Sequence, residues 1–109
     1  MNAEILRGFT DAIILNVLIK GDSYGYNISK SIIESTNNKM DIKNATIYLA
    51  FKRMEKNGFI TSYWSDDNIN GGRRKYYKIT DDGKKYLKEK KTEWKNNKNI
   101  LDKLLLGDK

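Results

Sequence analysis

Hydrophobic residues recur at helical spacing in four segments of the chain, and two short β-rich runs lie between the third and the fourth segment. In residues 4–19 the aliphatic side chains fall on more than one face, which predicts a helix that is buried on several sides. In residues 24–35 apolar side chains recur at i, i+4 and i+8, which predicts a second helix. Asp22 or Ser23 is its expected N-cap, because a short polar side chain there accepts a hydrogen bond from the first turn.

The third helical segment begins at Asn44, a suitable N-cap, and ends at Asn57-Gly58, a typical C-terminal stop. Its apolar residues follow the i, i+3, i+4, i+7 pattern and form one face, which consists of Ile47, Ala50, Phe51 and Met54. The opposite face carries small, aromatic and cationic side chains, from Ala45, Tyr48, Leu49, Lys52 and Lys56. We therefore expect a helix that buries one face and offers the other to a partner.

Two runs rich in β-branched and aromatic residues, Phe59–Trp64 and Lys75–Thr80, predict a β-hairpin directly after this helix. The connector between them is polar and ends in Gly71-Gly72-Arg73-Arg74, so that with Lys75 three consecutive cations stand at the start of the second strand. A shorter run, Lys39–Ile42, predicts a further short strand ahead of the third helix.

The fourth helical segment begins at Thr80-Asp81-Asp82 and extends to about Leu106, with carboxylates in the first turn, where the helix dipole favours them. Between Lys88 and Asn99 its only apolar residue is Trp94. A narrow stripe, heptad-spaced at first, follows the helix and consists of Leu87, Trp94, Leu101 and Leu105. A polar helix with one such stripe needs a partner helix, and the simplest partner is a second copy of the chain. We therefore predict a homodimer with these four residues in its interface.

The composition narrows the functional classes. Residues 1–70 carry equal numbers of cations and anions, so the whole net charge of +7 lies in residues 71–109 and suits a polyanionic partner. Because the chain has no cysteine and no histidine, we expect no metal site, no cofactor and no enzymatic activity. The longest apolar run, Ala12–Leu15, is too short to span a membrane, and the N-terminus has no signal-peptide pattern. We therefore expect a cytoplasmic protein without a membrane partner.

The third helix and the hairpin together favour binding to duplex DNA. The outward face of the helix suits a major groove, where exposed Leu49 would contact a thymine methyl group. The cationic hairpin suits a phosphate backbone or a minor groove next to it. The candidate DNA-binding residues are Tyr24, Asn44, Ala45, Thr46, Tyr48, Leu49, Lys52, Gly72, Arg73, Arg74 and Lys75. A dimer that reads DNA in this way would bind a palindromic operator.

The predicted order of elements, α-α-(β)-α-β-β-α, describes a winged helix-turn-helix with an added C-terminal helix. The fold class is mainly α with a small β component (α+β). Residues 1–80 are expected to form the winged-helix DNA-binding domain, and residues 81–109 the C-terminal dimerisation helix of the same compact unit.

Several motifs in fixed order across residues 5–95 resemble the PadR family of transcriptional regulators. They are Leu6-Arg7, Asp22-Ser23-Tyr24-Gly25-Tyr26, Ala45-Thr46-Ile47-Tyr48, the stretch Phe51–Gly58, Gly71-Gly72-Arg73-Arg74-Lys75-Tyr76-Tyr77 and Ile79-Thr80-Asp81-Asp82-Gly83. The similarity is greatest to the short branch with one C-terminal helix, which includes a multidrug-sensing repressor of lactic acid bacteria. The resemblance implies a homodimeric winged-helix repressor.

The same resemblance implies a ligand site. In the drug-sensing relative, planar aromatic ligands stack at the dimer centre between a tryptophan from each last helix, and Trp94 matches that tryptophan. The first-helix residues that match the pore lining are Phe9, Ala12 and Asn16. The chain departs from the relative at Lys90, Lys91 and Lys98, and cations beside a pore favour a neutral or anionic aromatic effector over a cationic one.

Other interpretations of these residues stay open at the level of sequence. A winged helix also serves as a protein-interaction module, and a DNA-binding repressor can act without any ligand. Trp94 on a helical stripe also suits interface packing, and Tyr24 also suits the edge of a core. Arg73 and Arg74 also suit a solvated loop tip.

Overall fold

The computed structural model describes residues 8–66 and 73–107, and in these ranges the chain forms four helices and one two-stranded sheet. The elements are α1 (Thr10–Leu18), α2 (Gly25–Ser35), α3 (Asn44–Lys56), β1 (Ile60–Trp64), β2 (Lys75–Ile79) and α4 (Asp81–Leu105). In these same ranges no helix combines the length and the apolar character that crossing a membrane requires.

The first helix begins later than the sequence pattern indicates. Phe9 has a non-helical φ of −128° and occupies the N-cap position of α1. Gly8 lies in the same turn, and a glycine costs about 1 kcal/mol in a helix relative to alanine. The predicted helix is therefore wrong at these two residues, while residues 4–7 lie outside the described part of the chain.

The predicted N-caps of α2 and α3 are also wrong. Tyr24 occupies the cap position of α2 without a side-chain hydrogen bond to the helix, and Lys43 does the same for α3, so that Asn44 is the first helical residue. Asp22 and Ser23 have other partners: the Asp22 carboxylate accepts a hydrogen bond from the Tyr63 hydroxyl, and the backbone of Ser23 pairs with the sheet.

The sheet is an antiparallel hairpin whose register extends from Ile60 opposite Ile79 to Trp64 opposite Lys75. Ser23 adds a one-residue bridge to β2, because its amide and carbonyl both bond to the backbone of Tyr77, at 3.2 and 2.7 Å. The short strand predicted at Lys39–Ile42 is absent from this described segment. The hairpin of β1 and β2, which we call the wing, is therefore hydrogen-bonded to the residues just before α2 and not to the segment before α3.

The core lies between α1, α2, α3 and the inner face of the hairpin. The predicted inner face of α3 is fully buried, and Phe51 stacks on Tyr77 of β2 with the ring centroids 3.8 Å apart. The other buried apolar residues come from every element, namely Ala12, Ile14, Leu15, Leu18, Ile28, Ile32, Ile42, Ile60, Ile79 and Leu87. This packing fixes α3 and the wing relative to each other.

Helix α4 has 25 residues, which corresponds to a length of about 37 Å. The Thr80 hydroxyl caps its start by accepting a hydrogen bond from the Gly83 amide at 3.0 Å. Up to Leu87 the helix packs on the core, and from Lys91 to Leu106 every residue is exposed. The second half of α4 therefore extends away from the body of the chain.

Candidate nucleic-acid interface

The outward face of α3 is open to solvent, as the sequence pattern predicts. Ala45, Thr46, Leu49 and Lys52 are all exposed, and Leu49 keeps 62% of its accessible surface. A leucine with so much exposed surface contributes nothing to the core of its own chain. The buried opposite face fixes these side chains in one direction, so that they form a convex ridge of the width that a major groove admits.

Tyr48 lies differently from the other residues of this face. A Cβ atom at Gly25 would be only 2.9 Å from the Tyr48 hydroxyl oxygen, so the phenol ring lies directly over the start of α2. The ring also makes an edge contact with Phe51, with the centroids 5.7 Å apart. Tyr48 therefore points along the protein surface, towards the start of α2, and Gly25 supplies the space that it needs.

The hairpin places one aromatic and one cationic side chain beside this ridge. Trp64 and Lys75 are paired across the strands at the connector end of the hairpin, so their side chains lie on the same face of the sheet. Trp64 is 56% exposed. The Ser62 hydroxyl donates a hydrogen bond of 2.7 Å to Glu55 of α3, which fixes the hairpin against the helix.

The other face of the hairpin carries a continuous aromatic stack. Tyr63 stacks on Tyr76 at 5.8 Å, Tyr76 contacts Tyr24 edge-on at 5.2 Å, and the Arg74 guanidinium lies 4.5 Å from the centre of the Tyr24 ring. The Tyr63 hydroxyl donates a hydrogen bond of 2.6 Å to Asp22, which raises the pKa of Tyr63 to about 12. The stack holds the wing against the turn between α1 and α2.

The two arginines of the wing therefore differ. Arg74 is partly buried by its contact with Tyr24, whereas Arg73 is exposed and its Nε donates a long hydrogen bond of 3.4 Å to the carbonyl of Ser65. Gly72, also a candidate from the sequence, lies outside the described residues. Sequence reasoning missed Trp64 and Tyr26, both exposed at this surface. Trp64 could have been found from the sequence, because it ends the first β-rich run and three cations stand at the start of the second run.

The predicted effector-binding residues lie together at a second site, away from the α3 ridge. Phe9, Ala12, Asn16 and Trp94 all line one open groove of about 490 Å³ between α1, the end of α2 and α4. Trp94 makes an edge contact with Phe9, with the centroids 5.6 Å apart, and keeps 46% of its surface exposed. The walls of the groove are largely apolar, and its rim carries cations from Lys20, Lys90, Lys91 and Lys95.

The predicted apolar stripe of α4 divides into two parts. Leu87 is only 2% exposed and belongs to the core of its own chain. It therefore does not lie on an exposed face of the helix, where the sequence pattern had placed it. The reason is that the first turns of α4 pack against α1. Trp94, Leu101 and Leu105 are exposed, and further apolar side chains extend the exposed stripe: Ile100, Leu104 and Leu106.

One ion pair connects the helix that carries the exposed ridge with the helix that lines the groove. Arg53 of α3 binds both carboxylate oxygens of Asp11 of α1, and its Nε donates to Oδ2 at 3.0 Å. This hydrogen bonding raises the pKa of Arg53 above its usual value. Because the arginine is about half exposed, the pair stabilises the fold by no more than about 1 kcal/mol. Its structural effect is to join the wall of the groove to the helix that bears the exposed ridge.

Known proteins with the same architecture are transcriptional regulators. The model of the Transcriptional regulator PadR-like family matches residues 14–89. A transcriptional regulator from Clostridium thermocellum is 46% identical, with 96% of this chain and 98% of that chain covered and a TM-score of 0.89. A PadR family transcription regulator from Clostridium difficile is 42% identical, with 89% and 98% covered and a TM-score of 0.78.

Bacillus subtilis PadR, solved in complex with operator DNA, is 30% identical over 77% of this chain and 46% of its own, with a TM-score of 0.67. These matches confirm the winged-helix fold and the family resemblance found in the sequence. They also confirm the prediction that the protein is a regulator and not an enzyme. The chain belongs to the PadR-like family of transcriptional regulators.

Proposed function

We propose that this protein is a cytoplasmic, homodimeric repressor that binds a palindromic DNA operator through α3 and the wing. The observation that carries the proposal is the exposed ridge of α3 beside the cationic start of β2. The similarity to Bacillus subtilis PadR, which was solved with operator DNA, supports the same use of these elements. Half-sites about one helical turn apart suit a two-fold dimer of this kind.

Within the ridge, the residues divide by chemistry. Ala45, Thr46 and Leu49 are short or apolar and suit base edges, with Asn44 at the start of the helix next to them. Lys52 and Arg73 are exposed cations and suit phosphate groups, which position a protein without reading sequence. Arg74 and Tyr24 contact the same backbone as one stacked unit.

A duplex selected by the wild-type protein from a randomised pool provides the test of base reading. Replacing single thymines of that duplex by deoxyuridine removes only the methyl group that Leu49 is proposed to contact. At one thymine per half-site, wild-type affinity should fall, while Leu49→Ala should bind both duplexes equally. Lys56→Ala, on the same helix, is the control that should keep the difference. If no thymine methyl matters to the wild type, Leu49 does not read bases.

The dimer is proposed to form through the distal half of α4 and α1 of the partner. From Ile100 to Leu106 five apolar side chains are about half exposed or more, and Leu104, Leu105 and Leu106 expose 73–82% of their surface. Soluble monomers rarely leave so large an apolar patch uncovered. The chain also carries an apolar groove along α1, so one surface contains both a ridge and a recess, as a self-complementary two-fold contact requires.

We further propose that a planar aromatic effector, neutral or anionic, binds at the dimer centre between the two Trp94 side chains and weakens operator binding. Trp94 has one part of its ring exposed in a groove whose rim is cationic. The Asp11–Arg53 pair offers the connection from α1 to α3. An effector can change operator affinity only by the difference in its affinity for the two arrangements of the dimer.

The effector proposal has its own test. In a Trp64→Phe background Trp94 is the only tryptophan, so quenching of its fluorescence by a panel of aromatic acids and neutral aromatics reports binding in the groove. A compound that quenches Trp94 should also release the selected duplex. If no compound quenches, or if quenching compounds leave duplex affinity unchanged, the protein is a repressor without this ligand and Trp94 serves in packing.

A further inference from the structure

A second concave site lies at the proposed DNA-facing surface, between the start of α2, the outward side of α3 and the connector end of the hairpin. We call it the wing hollow; its volume is about 390 Å³, and its main lining residues are Tyr26, Tyr48, Trp64, Arg73 and Lys75. This volume falls in the range of small-molecule sites, roughly 300–1,000 Å³. Its chemistry is restricted to aromatic and cationic groups, and no described residue that lines it is acidic.

Two cations of the hollow lack a carboxylate partner among the described residues. They are Arg73 and Lys75, whereas Arg53, Lys90 and Lys98 each have one. The third cation that lines the hollow, Arg74, packs against the Tyr24 ring. The hollow therefore presents positive charge that no carboxylate in the described part of the chain neutralises.

The aromatic groups give the hollow an apolar side. Trp64 is 56% exposed although it lies directly opposite Lys75 in the hairpin register. The Tyr48 ring lies over Gly25, where a Cβ atom would be 2.9 Å from its hydroxyl oxygen, and forms the wall of the hollow on the side of α3. A bare phosphate or sulfate ion needs no such apolar wall, whereas a nucleic-acid strand alternates phosphate groups with apolar sugar faces.

We propose that the wing hollow binds one phosphate–deoxyribose unit of the operator backbone, with Arg73 and Lys75 on the phosphate and Trp64 packed against the sugar. Tyr48 then lines the backbone site and does not reach a base edge. The occupant is duplex backbone and not a free nucleotide, because Tyr48 of α3 lines the hollow and is next in sequence to Leu49 of the ridge, so the two surfaces adjoin. This inference rests on the proposed function, operator binding by α3 and the wing.

The charge part of the proposal is tested by salt dependence on the duplex selected from the randomised pool. Lys75→Ala should lower the slope of log affinity against log salt by about 0.9, the loss of one phosphate contact. Lys78→Ala is the matched control, because Lys78 is an exposed lysine on the same strand that does not line the hollow. It should leave the slope unchanged. Equal slopes for the two variants would overturn the phosphate assignment.

The apolar part is tested separately. Trp64→Ala should weaken binding at least about fivefold at every salt concentration without changing the slope, since truncating an anchoring aromatic typically costs more than 1 kcal/mol. Trp64→Phe should retain most of the affinity. In a Trp94→Phe background, the duplex should protect Trp64 from acrylamide quenching; equal quenching with and without duplex would overturn the sugar contact.

Three further outcomes test this inference and separate it from the proposed function. If a free deoxynucleotide competes for the hollow at concentrations similar to the duplex, the site is a nucleotide pocket and the backbone assignment is wrong. If the wild-type protein enriches no duplex from the pool, the proposed function and the role of the hollow fail together. If it enriches a duplex that the Trp64 and Lys75 variants bind like the wild type, only the hollow assignment fails.

Discussion

Among the described glycines, Gly83 leaves the least space for a side chain. It lies in the first turn of α4, where a Cβ atom would be 2.2 Å from the Phe59 carbonyl oxygen and 2.8 Å from Cγ1 of Ile79. The backbone of α4 thus approaches the start of the hairpin more closely than any side chain would permit. The Thr80 cap and this approach together fix the angle at which α4 leaves the wing.

Gly83→Ala should therefore lower the free energy of unfolding by about 1–3 kcal/mol, the usual cost of forcing extra volume into a packed site. The effect opposes helix propensity, which favours alanine by about 1 kcal/mol. Gly21→Ala is the control, because nothing lies within 4 Å of its Cβ position. Urea unfolding of both variants measures the difference; equal stability of the two would contradict the close approach.

Tyr63 gives a pH-dependent prediction. Its hydrogen bond to Asp22 raises its pKa from 10.0 to about 12, so the bond stabilises the folded chain fully below pH 10 and is lost as the pH rises through 12. Asp22→Ala should return the titration of Tyr63 towards 10.0, as carbon NMR of ring-labelled tyrosine would show. An unchanged late titration in that variant would mean that Asp22 is not the cause.

At the scale of elements, local patterns predicted the amphipathic helices and the hairpin, and failed where a contact links distant residues. The buried face of α3, with Ile47 and Phe51, follows from spacing alone. The pattern predicts a strand that ends at Ile42, but Ile42 packs into the core from a loop and forms no strand. The backbone that pairs with the hairpin is Ser23, whose partner Tyr77 is more than fifty residues away in sequence, so no local signal identifies it.

The stripe of α4 shows the same limit. Heptad spacing placed Leu87 and Leu101 on one face, but it contained no information on where the helix leaves the core. The structure buries Leu87 and exposes Leu101. The proposed dimer contact therefore begins near Trp94, and the first turns of α4 are part of the winged-helix unit.

Replacing Leu101 and Leu105 together by aspartate should convert the proposed dimer into a folded monomer, because both side chains are exposed in the single chain and charged groups oppose their burial in an interface. Light scattering should change from twice the 12.7 kDa chain mass to the chain mass itself. The matched control replaces Asn96 and Asn99 by aspartate, which adds the same charge on the opposite side of α4 and should leave the dimer intact. A wild type that is monomeric at micromolar concentration would contradict the proposed interface.

At the scale of the whole molecule, the sequence identified which elements form the candidate DNA-binding surface but not the geometry of that surface. The α3 residues Thr46 and Leu49 face outward as their spacing predicts. Tyr48 has the same spacing, yet it bends towards Gly25, because a glycine at the start of α2 leaves room for the ring. Trp64 becomes part of the surface only when the hairpin register brings it opposite Lys75. Such positions depend on tertiary contacts, which periodicity does not contain.

We propose that this regulator reads DNA as a dimer through α3 and the wing. Titration of the wild-type protein into the duplex selected from the randomised pool, and into a scrambled duplex of equal length, tests this proposal at physiological salt. Two chains should bind per selected duplex, with an affinity about 10³-fold or more above that for the scrambled duplex. Equal affinity for both duplexes, or one chain per selected duplex, would contradict it.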